Sequence, residues 1–126
     1  MRLDFTKQII GRSHDLIETG DGIRFVVRQQ NGVDRSAFAI RYCSKVYGYI
    51  NECAHIPVEL DWMEGAFFDA NKKNIICSNH GAMFTPDEGK CVSGPCIGAS
   101  LQSINVFEEN GYIYFLQNNE KFSSKE

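Results

Sequence analysis

Apolar residues in this chain fall in short runs separated by turn-forming residues, a pattern typical of β-strands. Ile23–Gln29 reads Ile-Arg-Phe-Val-Val-Arg-Gln and predicts a strand, and Asn31-Gly32 after it predicts a tight hairpin turn. Ser36–Cys43 predicts a second strand in which two sets of side chains alternate, so we expect one buried face and one partly exposed face. Val46–Asn51 predicts a third strand.

The second half of the chain continues this pattern. Ile75-Ile76 predicts a short strand, and Thr85–Gly89 carries a strong turn signal. Leu101–Phe107 and Tyr112–Leu116 predict a hairpin that closes around Glu109-Asn110-Gly111. Between these halves, Glu59–Phe68 has neither a clear strand period nor a clear helix period, and we expect a loop that can include a helical turn.

These elements predict an all-β fold of stacked antiparallel sheets. The chain has 126 residues, 43% of them hydrophobic, with nine Phe, five Tyr and only three Pro. No repeat, heptad or Gly/Ser/Pro-rich linker divides it, so we expect residues 1–126 to form one domain, with the polar end 121–126 frayed.

Charge and cysteine content narrow the functional classes. The formal net charge is −3 and the basic residues are scattered, which disfavours nucleic-acid binding. Asp4 lies where a secretory signal would become apolar, and no run reaches membrane-spanning length, so we expect a soluble, cytoplasmic protein with no membrane partner. Five cysteines, an odd number, do not describe a complete disulfide framework and fit a reducing compartment.

Two clusters of cysteine and histidine carry the chemistry of this chain. They are Cys53-Ala54-His55 and Cys77-Ser78-Asn79-His80, and 21 residues separate His55 from Cys77. Each cluster must therefore lie on its own loop, and folding must bring the loops together around one site. One zinc ion held tetrahedrally, or an iron–sulfur cluster, would suit these ligands, and spacing alone does not choose between them.

The motifs resemble the signature of Rieske iron–sulfur proteins, Cys-x-His followed at a distance by Cys-x-x-His-Gly. The likeness continues through Gly81-Ala82-Met83-Phe84, the Gly-bearing turn and Ser93-Gly94-Pro95, and covers roughly residues 36–117. It implies a [2Fe-2S] cluster held at two hairpin-loop tips, with Cys53 and Cys77 on one iron and His55 and His80 on the other, exposed iron. In that family the Gly-Pro loop covers the cluster.

The interval between the two motifs is longer than in many small Rieske ferredoxins, which suggests an insertion within Pro57–Asn74. Three aromatic residues lie in it, Trp62, Phe67 and Phe68. Such residues usually belong to the core, but they can form a docking patch if the insertion lies near the exposed iron.

The resemblance also predicts a low redox potential. High-potential Rieske proteins of cytochrome bc complexes carry Ser and Tyr where this chain has Ala82 and Phe84, and they join their ligand loops by a disulfide where it has Val58 and Asn79. Fewer hydrogen bonds to the cluster favour a potential at the ferredoxin-like end of the Rieske range.

Four other residues, outside the two motifs, carry reactive side chains. Cys91 and Cys96 flank Val92–Pro95 and either form a small-loop disulfide or remain buried thiols. Cys43 is expected to be a small core residue. His14 is expected at the surface or as a satisfied core residue.

The resemblance implies a one-electron carrier, like a Rieske ferredoxin, working between a reductase and a terminal oxygenase or oxidoreductase. A catalytic non-haem iron would need two further histidines and a carboxylate, but only His14 remains, so we expect an electron-transfer component rather than an enzyme by itself. A small iron–sulfur subunit of a larger reductase, a redox sensor and a structural zinc module stay open as alternatives.

Overall fold

The computed structural model describes residues 5–28, 32–54, 58–61, 63–78 and 81–118. Within these ranges the structure has ten β-strands, one 3-10 turn at Ser13–Asp15 and no α-helix, which confirms the all-β prediction. The strands are β1 (Phe5–Arg12), β2 (Ile23–Arg28), β3 (Asp34–Tyr42), β4 (Lys45–Ile50), β5 (Ile75–Ile76), β6 (Met83–Phe84), β7 (Cys91–Ser93), β8 (Ser103–Ile104), β9 (Val106–Glu109) and β10 (Tyr112–Asn118).

The central sheet is antiparallel with the strand order β2-β3-β4-β8. The predicted strand from Ile23 is present to Arg28, whereas Gln29 and Asn31 lie outside the described residues. The prediction that one face of β3 would be partly exposed was wrong, because the four residues Ala37–Ile40, which alternate between its two faces, are all 0% exposed. Phe38 and Ile40 pack into one core cluster while Ala37 and Ala39 pack into two others, so this strand is covered on both faces.

A second antiparallel sheet, β1-β10-β9, joins the two ends of the described chain. It packs on the central sheet, where the rings of Phe25 and Phe115 lie 5.5 Å apart. The predicted final hairpin is confirmed, but the strand expected over Leu101–Phe107 is divided: β8 pairs with β4, and β9 pairs with β10.

In the third sheet, β5-β6-β7, strand β5 leads directly into Cys77, the first residue of the second Cys/His motif. The predicted turn at Thr85–Gly89 connects β6 to β7, and the amide of Gly89 donates to the carbonyl of Thr85 at 2.7 Å. Tyr49 of β4 joins this turn to the central sheet, since its hydroxyl donates to the carbonyl of Pro86 at 2.8 Å.

Cys43 lies in the turn between β3 and β4 and is exposed, so the expectation of a core residue was wrong. The strand ends at Tyr42, and both Cys43 and Ser44 take positive φ, 52° and 67°, as the short turn requires. The carboxylate of Glu18 accepts from both turn amides, at 2.5 Å from Cys43 and 2.9 Å from Ser44.

Among the residues described, no helix is long and apolar enough to cross a membrane.

Candidate metal centre

The first ligand loop begins directly after β4, at Asn51. Asn51 is buried, and its amide oxygen accepts from the backbone N–H of Leu60 at 2.9 Å, while its amide nitrogen donates to Asp61 Oδ1 at 2.9 Å. The amide of Cys53 donates to the carbonyl of Val58 at 2.8 Å. These side-chain and backbone hydrogen bonds close the loop and position Cys53, which is 4% exposed.

Asp61 is an acidic side chain with no solvent exposure. Its Oδ2 accepts from the amide of Gly65 at 2.9 Å and lies 3.6 Å from Nε of Arg24. Arg24 also donates to Ser36 Oγ at 3.2 Å and to Glu59 at 2.7 Å. A buried carboxylate is tolerated only when it is paired and hydrogen-bonded, and this one joins the segment between the two motifs to β2 and to Asn51, the residue that follows β4.

The second ligand loop lies at the tip of the β5–β6 hairpin. The amide of Cys77 donates to the carbonyl of Ala82 at 2.9 Å, and the amide of Gly81 donates to the carbonyl of Cys77 at 2.8 Å. Gly81 has a φ of +73°, a conformation that costs little only for glycine. Cys77 and Ala82 are both 0% exposed, so this short loop is anchored in the core at its two ends.

One backbone hydrogen bond joins the two loops directly. The amide of Ser78 donates to the carbonyl of Leu60 at 3.0 Å. Cys53 and Cys77 also belong to the same core cluster. The structure therefore places the two predicted cysteines on adjoining buried loops, whereas His55 and His80, the other two predicted ligands, lie outside the described residues.

The donor set fits an iron–sulfur cluster. Two buried cysteines on hydrogen-bonded, linked loops supply the soft thiolates that such clusters use. A side chain added at Gly81 would meet no atom within 4 Å, so there is open space beside this loop. Within the described residues no group of three or more Cys, His, Asp or Glu side chains is placed to hold a metal ion, so the described cysteines alone do not make a complete site.

A third segment, the turn after β7, rests on the second ligand loop. Gly94 has a φ of +99°, and a Cβ placed on it would lie 2.8 Å from the Cα of Ala82. The Gly-Pro segment singled out in the sequence thus packs against the loop that carries Cys77. Only a residue without a side chain fits at this distance.

An apolar cavity of about 470 Å³ lies beside the second ligand loop. It is lined by Met63, Ala66, Phe68, Ile76 and Ser78. Phe67 points elsewhere: it is 0% exposed and stacks on Phe38 with ring centroids 3.8 Å apart, which confirms it as a core residue. Trp62 lies outside the described residues.

Sequence reasoning missed the two polar residues that hold the first loop, Asn51 and Asp61. A signal for Asp61 was present, because the acid stands between Leu60 and Trp62, where a solvated side chain would be unusual. His14 is a surface residue, as expected, with its Nε2 3.4 Å from Asp15.

The chain belongs to the Rieske [2Fe-2S] domain family, whose model matches residues 6–112. This family binds a [2Fe-2S] cluster, and the match includes strands of all three sheets but only the first residue of β10. No curated protein sequence matches the chain.

Solved structures show the same fold at low sequence identity. The ferredoxin of carbazole 1,9a-dioxygenase from Nocardioides aromaticivorans IC177 is 22% identical, with a TM-score of 0.66 over 87% of this chain and 96% of that one. A chain in a complex of reduced oxygenase and oxidized ferredoxin in carbazole 1,9a-dioxygenase is 20% identical, with a TM-score of 0.67 over 94% of this chain and 97% of that one. The terminal oxygenase of carbazole 1,9a-dioxygenase from the same Nocardioides strain is 19% identical, with a TM-score of 0.71. The match covers 96% of this chain but only 33% of the oxygenase.

Proposed function

We propose that this protein is a one-electron carrier of the ferredoxin type, in which Cys53 and Cys77 bind one iron of the [2Fe-2S] cluster and His55 and His80 bind the other. The observation that carries the proposal is the Ser78–Leu60 hydrogen bond, which joins the two cysteine-bearing loops. Each histidine follows one of those cysteines within three residues and belongs to the same sequence motif. When bound, the cluster takes up and releases one electron.

The residues of this chain adapt the site to electron transfer in two ways. Cys53 and Cys77 are buried, which keeps water from the thiolate side of the centre. Ala82 and Phe84 are also fully buried and bring no hydroxyl group to the second loop. Fewer donors to the cluster leave the reduced charge less stabilised, which favours a low potential.

The proposed partners are a reductase that supplies the electron and a terminal oxygenase or oxidoreductase that accepts it. Support comes from the dioxygenase ferredoxins, which this chain matches over nearly their full length. The cavity beside Ser78 supports contact at this edge, because apolar surface next to a redox centre suits a transient protein interface. Met63 on its rim is 75% exposed.

Anaerobic coulometric titration tests the carrier function. The purified holoprotein should take up one electron for every two irons and return it to ferricytochrome c through repeated cycles without losing its visible spectrum. A protein that contains iron but cannot be reduced and reoxidised reversibly would contradict the proposal.

The partner assignment needs a separate measurement. The dithionite-reduced protein is mixed with the carbazole 1,9a-dioxygenase oxygenase, and cluster reoxidation is followed in a stopped-flow instrument. Met63→Asp should slow the reaction several-fold at low oxygenase concentration. Met83→Asp is not a matched control, because Met83 lies in strand β6. Ile9→Asp, on the exposed outer strand β1, is the better control and should have no effect.

An iron–sulfur component of a larger enzyme is a second candidate, favoured by the similarity to one third of a terminal oxygenase. Size-exclusion chromatography of the native protein distinguishes the two. A carrier elutes by itself and associates transiently, whereas a subunit copurifies with a large partner in fixed stoichiometry.

A further inference from the structure

Cys91 and Cys96 are two buried cysteines that the proposed metal centre does not use. They are 4% and 6% exposed, and their Sγ atoms lie 2.7 Å apart without a covalent bond. The thiol of Cys96 donates to Cys91 Sγ, and the thiol of Cys91 donates to the carbonyl of Ser93 at 3.4 Å. The two thiols therefore form a hydrogen-bonded chain inside the core, from Cys96 to Cys91 to the Ser93 carbonyl.

The main chain holds this pair together. Cys91 lies in β7, and its amide donates to the carbonyl of Ala99 at 3.0 Å. The amide of Ala99 in turn donates to the carbonyl of Cys96 at 2.9 Å. Residues 91–99 thus fold back on themselves, and the sulfur atoms need to move closer by only about 0.7 Å to reach the length of a disulfide bond.

The pair does not form a metal site with other described side chains, since no third Cys, His, Asp or Glu in those ranges completes a group with it. Two adjacent thiols can be oxidised to a disulfide by thiol–disulfide exchange.

We propose that Cys91 and Cys96 form a reversible disulfide, a thiol redox site distinct from the cluster ligands. The oxidant is a low-molecular-weight disulfide. One cysteine attacks it as the thiolate, forms a mixed disulfide and releases the first small thiol; the other cysteine then attacks the mixed disulfide and releases the second. The two cysteines lose two protons and two electrons, and the small disulfide becomes two thiols.

Burial makes this exchange slow. It raises the pKa of Cys96 to about 12, with the hydrogen bond to Cys91 adding to the effect, and the thiolate is the form that reacts. The neighbouring Ile97 is 70% exposed, so the turn that covers the pair lies at the surface and opening it gives the reagent access.

The disulfide would act on the second ligand loop. Gly94 lies between the two cysteines and packs on Ala82, so a bond between Cys91 and Cys96 restricts the segment that covers this loop. Provided that the proposed centre is right, oxidation should slow the removal of iron by a chelator on the order of tenfold, because the crosslink limits opening of the turn. Formation of the disulfide itself does not depend on the ligand assignment.

Peptide mapping of the holoprotein tests the proposal. The protein is equilibrated anaerobically with mixtures of reduced and oxidised glutathione, quenched in acid, alkylated under denaturing conditions and digested with trypsin. Residues 91–121 then form one peptide that holds Cys91 and Cys96 and no other cysteine, while Cys43, Cys53 and Cys77 fall on three other peptides.

We expect the 91–121 peptide to lose two hydrogen atoms and both alkylation sites together as the glutathione ratio becomes more oxidising. Two alkyl groups at every ratio, two separate glutathione adducts, or a link to another cysteine peptide would each overturn the proposal. Cys43→Ser serves as the control for the exposed cysteine and should leave the transition unchanged. The visible spectrum of the same samples reports on the cluster separately, so failure of the disulfide is distinguishable from failure of the proposed centre.

Discussion

Asn51 and Asp61 are joined by a buried hydrogen bond of 2.9 Å, and this bond sets the two ends of the first ligand loop side by side. Asn51 follows β4, and Asp61 lies in the segment between the two Cys/His motifs. The same asparagine accepts from Leu60, whose carbonyl accepts from Ser78 of the second ligand loop. The relationship thus extends from the central sheet through both loops that carry the predicted ligands.

Loss of the Asp61 carboxylate should destabilise the protein strongly. Asp61→Ala removes the acceptor of the Gly65 amide and one acceptor of the Asn51 amide, and it breaks the ion pair with Arg24, at a cost of about 2–4 kcal/mol. The melting temperature, followed by circular dichroism, should fall by roughly 10 °C. Asp34→Ala is the control, because its pair with Arg28 is exposed and contributes less than about 1 kcal/mol. Equal effects of the two substitutions would contradict the role of Asp61.

The contact between Gly94 and Ala82 can be tested with a matched pair of glycines. Gly94 and Gly98 both have a φ of +99°, but a Cβ meets Ala82 at 2.8 Å in the first case and nothing within 4 Å in the second. Gly94→Ala should therefore accelerate chelator-driven bleaching of the cluster several-fold more than Gly98→Ala. If both variants bleach at the same rate, backbone strain alone accounts for the effect, and the turn does not cover the second loop.

The ion pair between Arg41 and Glu108 predicts a particular response to acid. Hydrogen bonds from Arg41, the shortest 2.6 Å, lower the pKa of Glu108 from 4.5 to about 2. Because the folded-state pKa is depressed, the stabilisation is present above pH 4.5 and is lost as the pH falls toward 2.

Solvent screening weakens this exposed pair, so Glu108→Gln should destabilise the protein by only about 1 kcal/mol at neutral pH, and its difference from the unmodified protein should shrink between pH 4.5 and 2. Melting temperatures measured across this range provide the check. Glu109→Gln, in an exposed pair with Lys7, is the control and should give a small, flat difference. A difference for Glu108→Gln that stays constant with pH would contradict the assignment.

The midpoint potential of the cluster should lie toward the low end of the Rieske range of about −150 to +300 mV. Ala82→Ser would introduce a hydroxyl at a fully buried position of the second loop and should raise the potential. Ala37→Ser makes the same change at a buried position in a different core cluster and should leave it unchanged. Redox titration measures all three proteins, and a midpoint above about +150 mV for the unmodified chain would contradict the prediction.

Local patterns predicted much of this fold, because a hairpin is encoded by neighbouring residues. The turn at Thr85–Gly89 and the hairpin around Asn110-Gly111 are present for this reason. Strand β1 was not predicted, since it alternates poorly, contains a register shift near Ile9 and pairs with β10 about one hundred residues away. Partners at such distances leave no local signal in the sequence.

In the candidate site, too, the local features were predictable from the sequence and the contacts between distant segments were not. The ligand motifs were readable, because their spacing is short and their residue types are chemically specific. The support by Asp61 and the approach of Gly94 to Ala82 depend on how separate loops pack, which periodicity does not encode. Cys43 was assigned to the core because the strand pattern was extended one residue too far into the turn.

The measurement that tests the central claim most directly is pulsed EPR of the reduced, anaerobically purified protein, with iron and acid-labile sulfide assayed on the same sample. We predict two irons, two sulfides and nitrogen couplings from two imidazoles, one of which disappears in each of His55→Cys and His80→Cys. A colourless protein with stoichiometric zinc, or a cluster without imidazole couplings, would contradict the account.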